Sequence, residues 1–319
     1  MKSLYEKDKV WFAVGWIIVY VVGFANSDAI SDTIGIPKLV TVAVGAVLSL
    51  VLFTFVYRNG LSEKLGLCPF RGNYRDFGWF VPLAVISSVN FWNGVTMNVP
   101  PLETALYILS MCFVGLLEEV IFRGLLFRGM CEGNVKTAII VSSVTFGVGH
   151  IVNLLTGAPV VETLLQLVYA TAIGFCYTAV FHVGGSIVPC IISHIFVNST
   201  SVFAVEPSRA GNVVIALVQT VLGVGYGLWL LKQGGAKAAV SRIVHMEAVY
   251  DALLEAVRFD PKTADAQLLS ELTAYYEGGQ WRKDYELDER GLLPPTLKRG
   301  VLSQDGVYDL LAQIRNEEE

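Results

Sequence analysis

The chain has 319 residues, 54% of them hydrophobic and 16% charged, with a mean hydropathy of +0.55 and a formal net charge of −5. Soluble domains carry about 25% charged residues, so this composition is that of a membrane protein. Residues 1–232 hold 13 Lys and Arg against 12 Asp and Glu, and residues 233–319 hold 10 against 16, so neither part offers the basic stripe that nucleic-acid binding requires.

Apolar runs near 10–26, 39–57, 77–96, 103–127, 136–155, 161–181, 186–204 and 211–231 predict eight helices able to cross a hydrocarbon core of ~30 Å. Lysines precede the first run, as in a signal peptide, but no small-residue cleavage site closes it near Asn26-Ser27-Asp28, so it is expected to be an uncleaved span. Basic residues collect in alternate loops: Lys2, Lys7 and Lys9, then Arg58, Lys64, Arg71 and Arg75, then Arg128 and Lys136, then Lys232 and Lys237. The opposite loops hold little beyond Lys38 and Arg209, and the positive-inside rule therefore places both termini in the cytoplasm. Tyr5, Trp11, Tyr57 and Trp79 are expected in the interfacial belts.

After Lys232-Gln233-Gly234-Gly235 the composition shifts to acidic and polar, which divides the chain into a transmembrane domain, 1–232, and a soluble domain, 233–319. Helical apolar spacing recurs over about 238–258, over Ala264–Tyr276 after a Pro261-Lys262-Thr263 break, and over Val307–Ile314. The expected fold class is all-α: a polytopic membrane helix bundle with about eight transmembrane helices plus a small, mainly helical cytoplasmic domain. Cys68, Cys112, Cys131, Cys176 and Cys190 are scattered without a CxxC, so neither a disulfide framework nor a structural zinc site is expected.

Chemistry concentrates in Leu117-Glu118-Glu119-Val120-Ile121-Phe122-Arg123-Gly124, two carboxylates and an arginine inside an apolar run. On a helix Glu119 and Arg123 share a face four residues apart, with the acid on the N-terminal side, the favoured order for an ion pair. Glu118 points about 100° away and has no partner in its own segment. Ionisable groups at membrane depth mark functional sites. His150 closes the fifth run, and His194 and Asn198 lie four apart on one face of the seventh, so these three and Glu118 are expected to converge from three helices. A carboxylate and an imidazole sharing a water can activate it as a nucleophile. A second imidazole and an amide N–H can stabilise the oxyanion that forms. Those are the parts for amide hydrolysis without a covalent intermediate, with Glu119 and Arg123 one layer out.

Glu-Glu-x-x-x-Arg at Glu118–Arg123, Phe-x-x-x-His at Phe146–His150 and His-x-x-x-Asn at His194–Asn198, in that order, resemble the three motifs of the CPBP intramembrane protease family. That family comprises the type II CAAX prenyl endopeptidases and bacterial bacteriocin-processing or immunity proteins. The resemblance covers a motif core of about residues 80–205. It implies that Glu118 and His150 activate the attacking water, that His194 and Asn198 form the oxyanion hole, and that Glu119 and Arg123 support the site. It also implies a peptide or membrane-protein substrate within the lipid bilayer. No cofactor is expected; the chain has no HExxH, and the alternative is Zn²⁺ held by Glu118, His150 and His194. The stretches Leu272–Tyr285, Asp288–Pro294 and Leu297–Ser303 are similar to a small uncharacterised bacterial domain. That similarity assigns no activity and points to a bacterial cell membrane; whether the tail recruits a protein partner or regulates access is not decided by its composition.

The function expected is that of an intramembrane endopeptidase; the alternatives are a non-proteolytic immunity or scaffold protein of the same family and, third, a transporter. Other polar residues have plainer readings. His182 is expected in a short loop, solvated or interfacial, and His245 without a role, while Glu162 reads as an interfacial charge or an N-terminal helix charge. Gln166 invites a substrate contact but is expected to pack. Asp284, Glu286, Asp288 and Glu289 lack EF-hand spacing and read as a solvated loop.

Overall fold

The computed structural model describes residues 1–70, 72–131, 133–259, 263–289 and 293–316. Arg71 of the loop charges, Pro261 and Lys262 of the expected break, and Arg290–Leu292 of the tail motif lie outside them. The described residues form helices, with one isolated antiparallel bridge between Val95 and Ala204. The chain divides into two compact units, Met1–Leu231 and Lys232–Glu319.

In the first unit, α1 (Lys2–Lys7) leads into α2 (Lys9–Ile34), whose N-terminus is capped by Asp8 accepting from the amides of Val10 and Trp11 and whose C-terminus stops at Gly35 in the left-handed region, φ 80°. Next come α3 (Leu39–Arg58) and the short α4 (Val81–Ser87). A long helix begins at Pro101, a residue suited to the first helical turn, and runs as α5 (Pro101–Glu119), a π-helical stretch (Val120–Phe127) and α6 (Arg128–Cys131). Asn134 caps α7 (Val135–Gly149), and α8 (Val160–Gly184), α9 (Val188–Thr200) and α10 (Arg209–Phe259) complete the bundle.

Among the described residues six helices are long and apolar enough to cross a membrane: Lys9–Ile34, Leu39–Arg58, Pro101–Cys131, Val135–Leu154, Val160–Gly184 and Arg209–Phe259. Trp11, Ile18, Val22, Val47 and Leu50 are exposed on α2 and α3, an apolar surface that suits lipid and not water. The molecule is a multi-pass membrane protein.

The remaining two expected spans take a different form. The run 186–204 is a shorter apolar helix, Val188–Phe203, and 77–96 is broken into a 3₁₀ turn (Tyr74–Phe80), α4 and a second 3₁₀ turn (Val89–Phe91). The break lies at Gly78, Trp79 and Phe80, three consecutive left-handed residues with φ 54°, 52° and 55°. Left-handed backbone costs roughly 1–2 kcal/mol for a residue with a Cβ; here Phe70, Phe77 and Phe80 pack together and the Tyr226 hydroxyl donates to the Phe77 carbonyl at 2.7 Å. The two segments nonetheless run side by side. Ser87 and Ser193 share a hydrogen bond, and further along Thr96 N–H donates to Phe203 O; the start of the second segment is tied instead to the preceding loop, Ile187 N–H donating to Gly66 O and the Ser186 hydroxyl to Cys68 O.

In the second unit, Ala239, Ile243, Met246, Tyr250, Leu253 and Val257 recur every three or four residues, and that stripe packs on α11 (Ala266–Glu277), α12 (Gln280–Glu289) and α13 (Gln304–Asn316). The expected solvated acidic loop is instead the helix α12. Asp284 alone of the four is fully buried, held by Arg242 at 2.8 and 2.5 Å, whereas Glu286 and Glu289 are exposed, as expected. Among the expected belt residues, Trp11, Tyr57 and Trp79 are exposed, whereas Tyr5 is buried in the core against Phe12 and Phe55. His182 lies on α8, not in a loop, and is exposed.

Candidate active site

Glu118 and Glu119 sit in the last turn of α5, where the helix passes into its π-helical stretch. Insertions of this kind recur at functional sites because they re-aim side chains. Glu119 and Arg123 are both fully buried, with Arg123 Nη1 donating to Glu119 Oε1 at 3.1 Å. The guanidinium lies 4.1 Å from the centre of the Phe146 ring and 5.4 Å from that of Tyr177, a cation–π sandwich between α7 and α8. Gly174 makes room for it: a Cβ there would stand 3.0 Å from Phe146 and 3.3 Å from Arg123 Nη2.

His194 reaches the same carboxylate from α9. Its Nδ1 is 2.8 Å from Glu119 Oε1, and because a carboxylate accepts, Nδ1 carries a proton. The ring is thereby fixed with Nε2 toward Glu118, 3.6 Å from Oε2, too long for a direct hydrogen bond. Gly115, one turn before Glu119, permits this approach: a Cβ there would come within 2.8 Å of the Ile195 side chain and 2.9 Å of its backbone nitrogen. The other oxygen of Glu118 has a different partner, since the Tyr20 hydroxyl of α2 donates to Oε1 at 2.6 Å.

His150 caps the C-terminus of α7 and its ring stands edge-on to Phe146, 5.7 Å away, while His194 stands 5.6 Å from the same ring on another side. Glu118 and His194 both lie within Coulomb range of His150. Gln166 of α8 contacts His150 Nδ1 through Nε2 at 3.2 Å and accepts from Asn153 through Oε1 at 2.8 Å. An amide nitrogen only donates, so Nδ1 accepts and Nε2 carries the proton of the neutral ring. Gln166 is thus neither simple packing nor a bare substrate contact; it holds a histidine. Asn198, one turn beyond His194 on α9, is half-buried on the same face.

The structure thus brings Glu118, Glu119, Arg123, His150 and His194 together, with Asn198 adjacent. Tyr20 and Gln166 are the additions. Tyr20 stands in the first apolar run with no polar motif around it, so no sequence signal marks it.

A metal cage is not preformed. Among the described residues no group of three or more His, Cys, Asp or Glu side chains is gathered to hold an ion. His194, with Nδ1 on Glu119, turns Nε2 toward Glu118, so Glu118, His150 and His194 are the residues that would hold Zn²⁺ if it were bound, and the mechanism is derived from the side chains alone.

Comparison with known proteins finds two matches. Residues 100–200 match the family described as type II CAAX prenyl endopeptidase Rce1-like, and residues 243–317 match a domain of unknown function, DUF4298. No curated protein and no solved structure matches the chain. All seven motif residues lie within the first matched segment, and Tyr20 lies before it. Over residues 100–200 the chain is thus similar to the type II CAAX prenyl endopeptidase Rce1-like family, and over residues 243–317 to DUF4298.

Proposed function

We propose that the protein is an endopeptidase that hydrolyses peptide bonds of membrane-associated peptides or proteins, with Glu118, His150, His194 and Asn198 as its catalytic residues. The observation that carries this reading is the facing pair Glu118 Oε2 and His194 Nε2, 3.6 Å apart in a buried cluster on apolar helices. A base and an electrophile facing each other among apolar helices are what uncatalysed amide hydrolysis lacks.

In this mechanism Glu118 takes a proton from water as the water oxygen bonds to the scissile carbonyl carbon. His150, presenting Nε2–H, holds that oxygen in line. The negative charge moving onto the carbonyl oxygen is met by the Nε2 edge of His194 and by the Asn198 amide. Glu119 keeps the His194 ring in place, and Arg123 balances the buried charge. As the tetrahedral species collapses, the C–N bond breaks and the proton passes from Glu118 to the leaving nitrogen. The products are a carboxylic acid and an amine.

The alternate basic loops support cytoplasmic termini, and the tail's similarity to a small bacterial domain supports a bacterial cell membrane location. The DUF4298 domain would then meet its partner, or govern access, from the cytoplasm. The test compares N-terminal peptides from membranes and medium of cells expressing the native chain or Glu118→Ala at equal level. New termini that vanish in the variant are expected. Identical profiles would overturn the protease reading in favour of an immunity or scaffold role.

A further inference from the structure

We infer that Tyr20 is a positioning residue for Glu118, so that the site includes the N-terminal helix α2, outside the matched segment 100–200. The inference rests on the reading of Glu118 as the water-activating base and adds the group that aims it.

Glu118 has no counter-ion on its own helix, because Arg123 is taken by Glu119. Its two oxygens diverge: Oε1 accepts from the Tyr20 hydroxyl at 2.6 Å, and Oε2 faces His194 Nε2 at 3.6 Å. A carboxylate on a flexible side chain turns about its terminal torsion at little cost. A strong donor on one oxygen stops that rotation and leaves the other aimed at the histidines. Charge-assisted O–H···O⁻ bonds are short, typically about 2.5–2.7 Å, and roughly twice as strong as neutral ones. Tyr20 is itself held: it is 8% exposed, and its ring packs on Phe24 one turn along at 4.7 Å. α2 packs directly against the π-helical stretch that follows Glu118, so its position is coupled to the site. The charged and titratable groups around Glu118 are Tyr20 from α2, His150 from α7, His194 from α9, and Glu119 and Arg123 on its own helix.

The test uses the purified full chain and two conservative variants, Tyr20→Phe, which removes only the hydroxyl, and Phe24→Leu, which alters the packing beside it. The substrate probe is an internally quenched peptide spanning a junction found by the N-terminal comparison. In parallel, infrared spectroscopy follows the Glu118 carboxylate stretch, identified by its loss in Glu118→Gln. Tyr20→Phe is expected to lower kcat by about tenfold or more with KM unchanged, and to move the Glu118 band, while Phe24→Leu leaves kcat and the band in place. A Tyr20→Phe chain with native kcat and an unmoved band, while Glu118→Ala is inactive, would overturn the positioning role alone. Equal loss of activity and melting temperature in both variants, with the band unmoved, would also overturn it, because packing would then be the whole effect. If Glu118→Ala cleaves like the native chain, the protease reading itself fails, and that result is distinct from the other two.

Discussion

Glu119 shows how one carboxylate can serve two neighbours. Its Oε1 takes the Arg123 guanidinium and the His194 ring together, and Oε2 makes no hydrogen bond to the described residues. Such a pair is sustained only while both partners stay. Arg123→Ala leaves a buried anion uncompensated and is expected to cost about 3–5 kcal/mol, read as a fall in the thermal unfolding midpoint together with lost activity. Glu118→Ala should differ, losing cleavage with little change in that midpoint. His150 depends on Gln166 for the direction of its ring. Gln166→Leu removes the donor to Nδ1, so kcat should fall by about 10- to 100-fold while unfolding is nearly unchanged; a native kcat would show that the ring is held by Phe146 alone.

At the scale of elements, the site is made by close helix approaches more than by large side chains. Without a hydrophobic drive between helices in lipid, small residues at crossings let backbones meet. Gly115 brings α5 against α9, and Gly147 brings α7 against α8, where a Cβ would stand 2.8 Å from the Thr171 nitrogen. The Ser142 hydroxyl of α7 donates to Phe122 O in the π-helical stretch at 2.9 Å, fixing α7 to the helix that carries Glu118 and Glu119. Helical periodicity in the sequence makes the long helices legible, because each repeats an apolar pattern over many turns. It overreads 77–96: Gly78, Trp79 and Phe80 are apolar enough for a helix, and the left-handed turn they form depends on the Phe70–Phe77–Phe80 cluster and on Tyr226 from α10. No local signal records a partner about 150 residues away.

For the whole molecule, two separate cores imply separable stability. The second unit closes around Asp284, which Arg242, Tyr275 and Gln280 all contact; burial and this carboxylate hold the Tyr275 phenol above its ordinary range. Glu247 adds a second tie by accepting from the amides of Gly300 and Val301 at 3.0 and 2.7 Å. Asp284→Ala leaves Arg242 without its partner and Tyr275 without its acceptor, and is expected to destabilise this unit by about 3 kcal/mol or more. Hydrogen exchange is the measurement: amides over 239–316 should exchange faster and those over 101–200 should not change.

Composition alone set the membrane class, since 16% charge over 319 residues cannot clothe a soluble protein of this apolarity. Spacing alone set the Glu119–Arg123 pair and the shared face of His194 and Asn198, because four residues is one helical turn whatever surrounds it. The direction each remaining group faces was decided only by tertiary structure. Tyr20 meets Glu118 across 98 positions of chain and Gln166 meets His150 from the next helix, contacts set by how helices pack and absent from any local pattern.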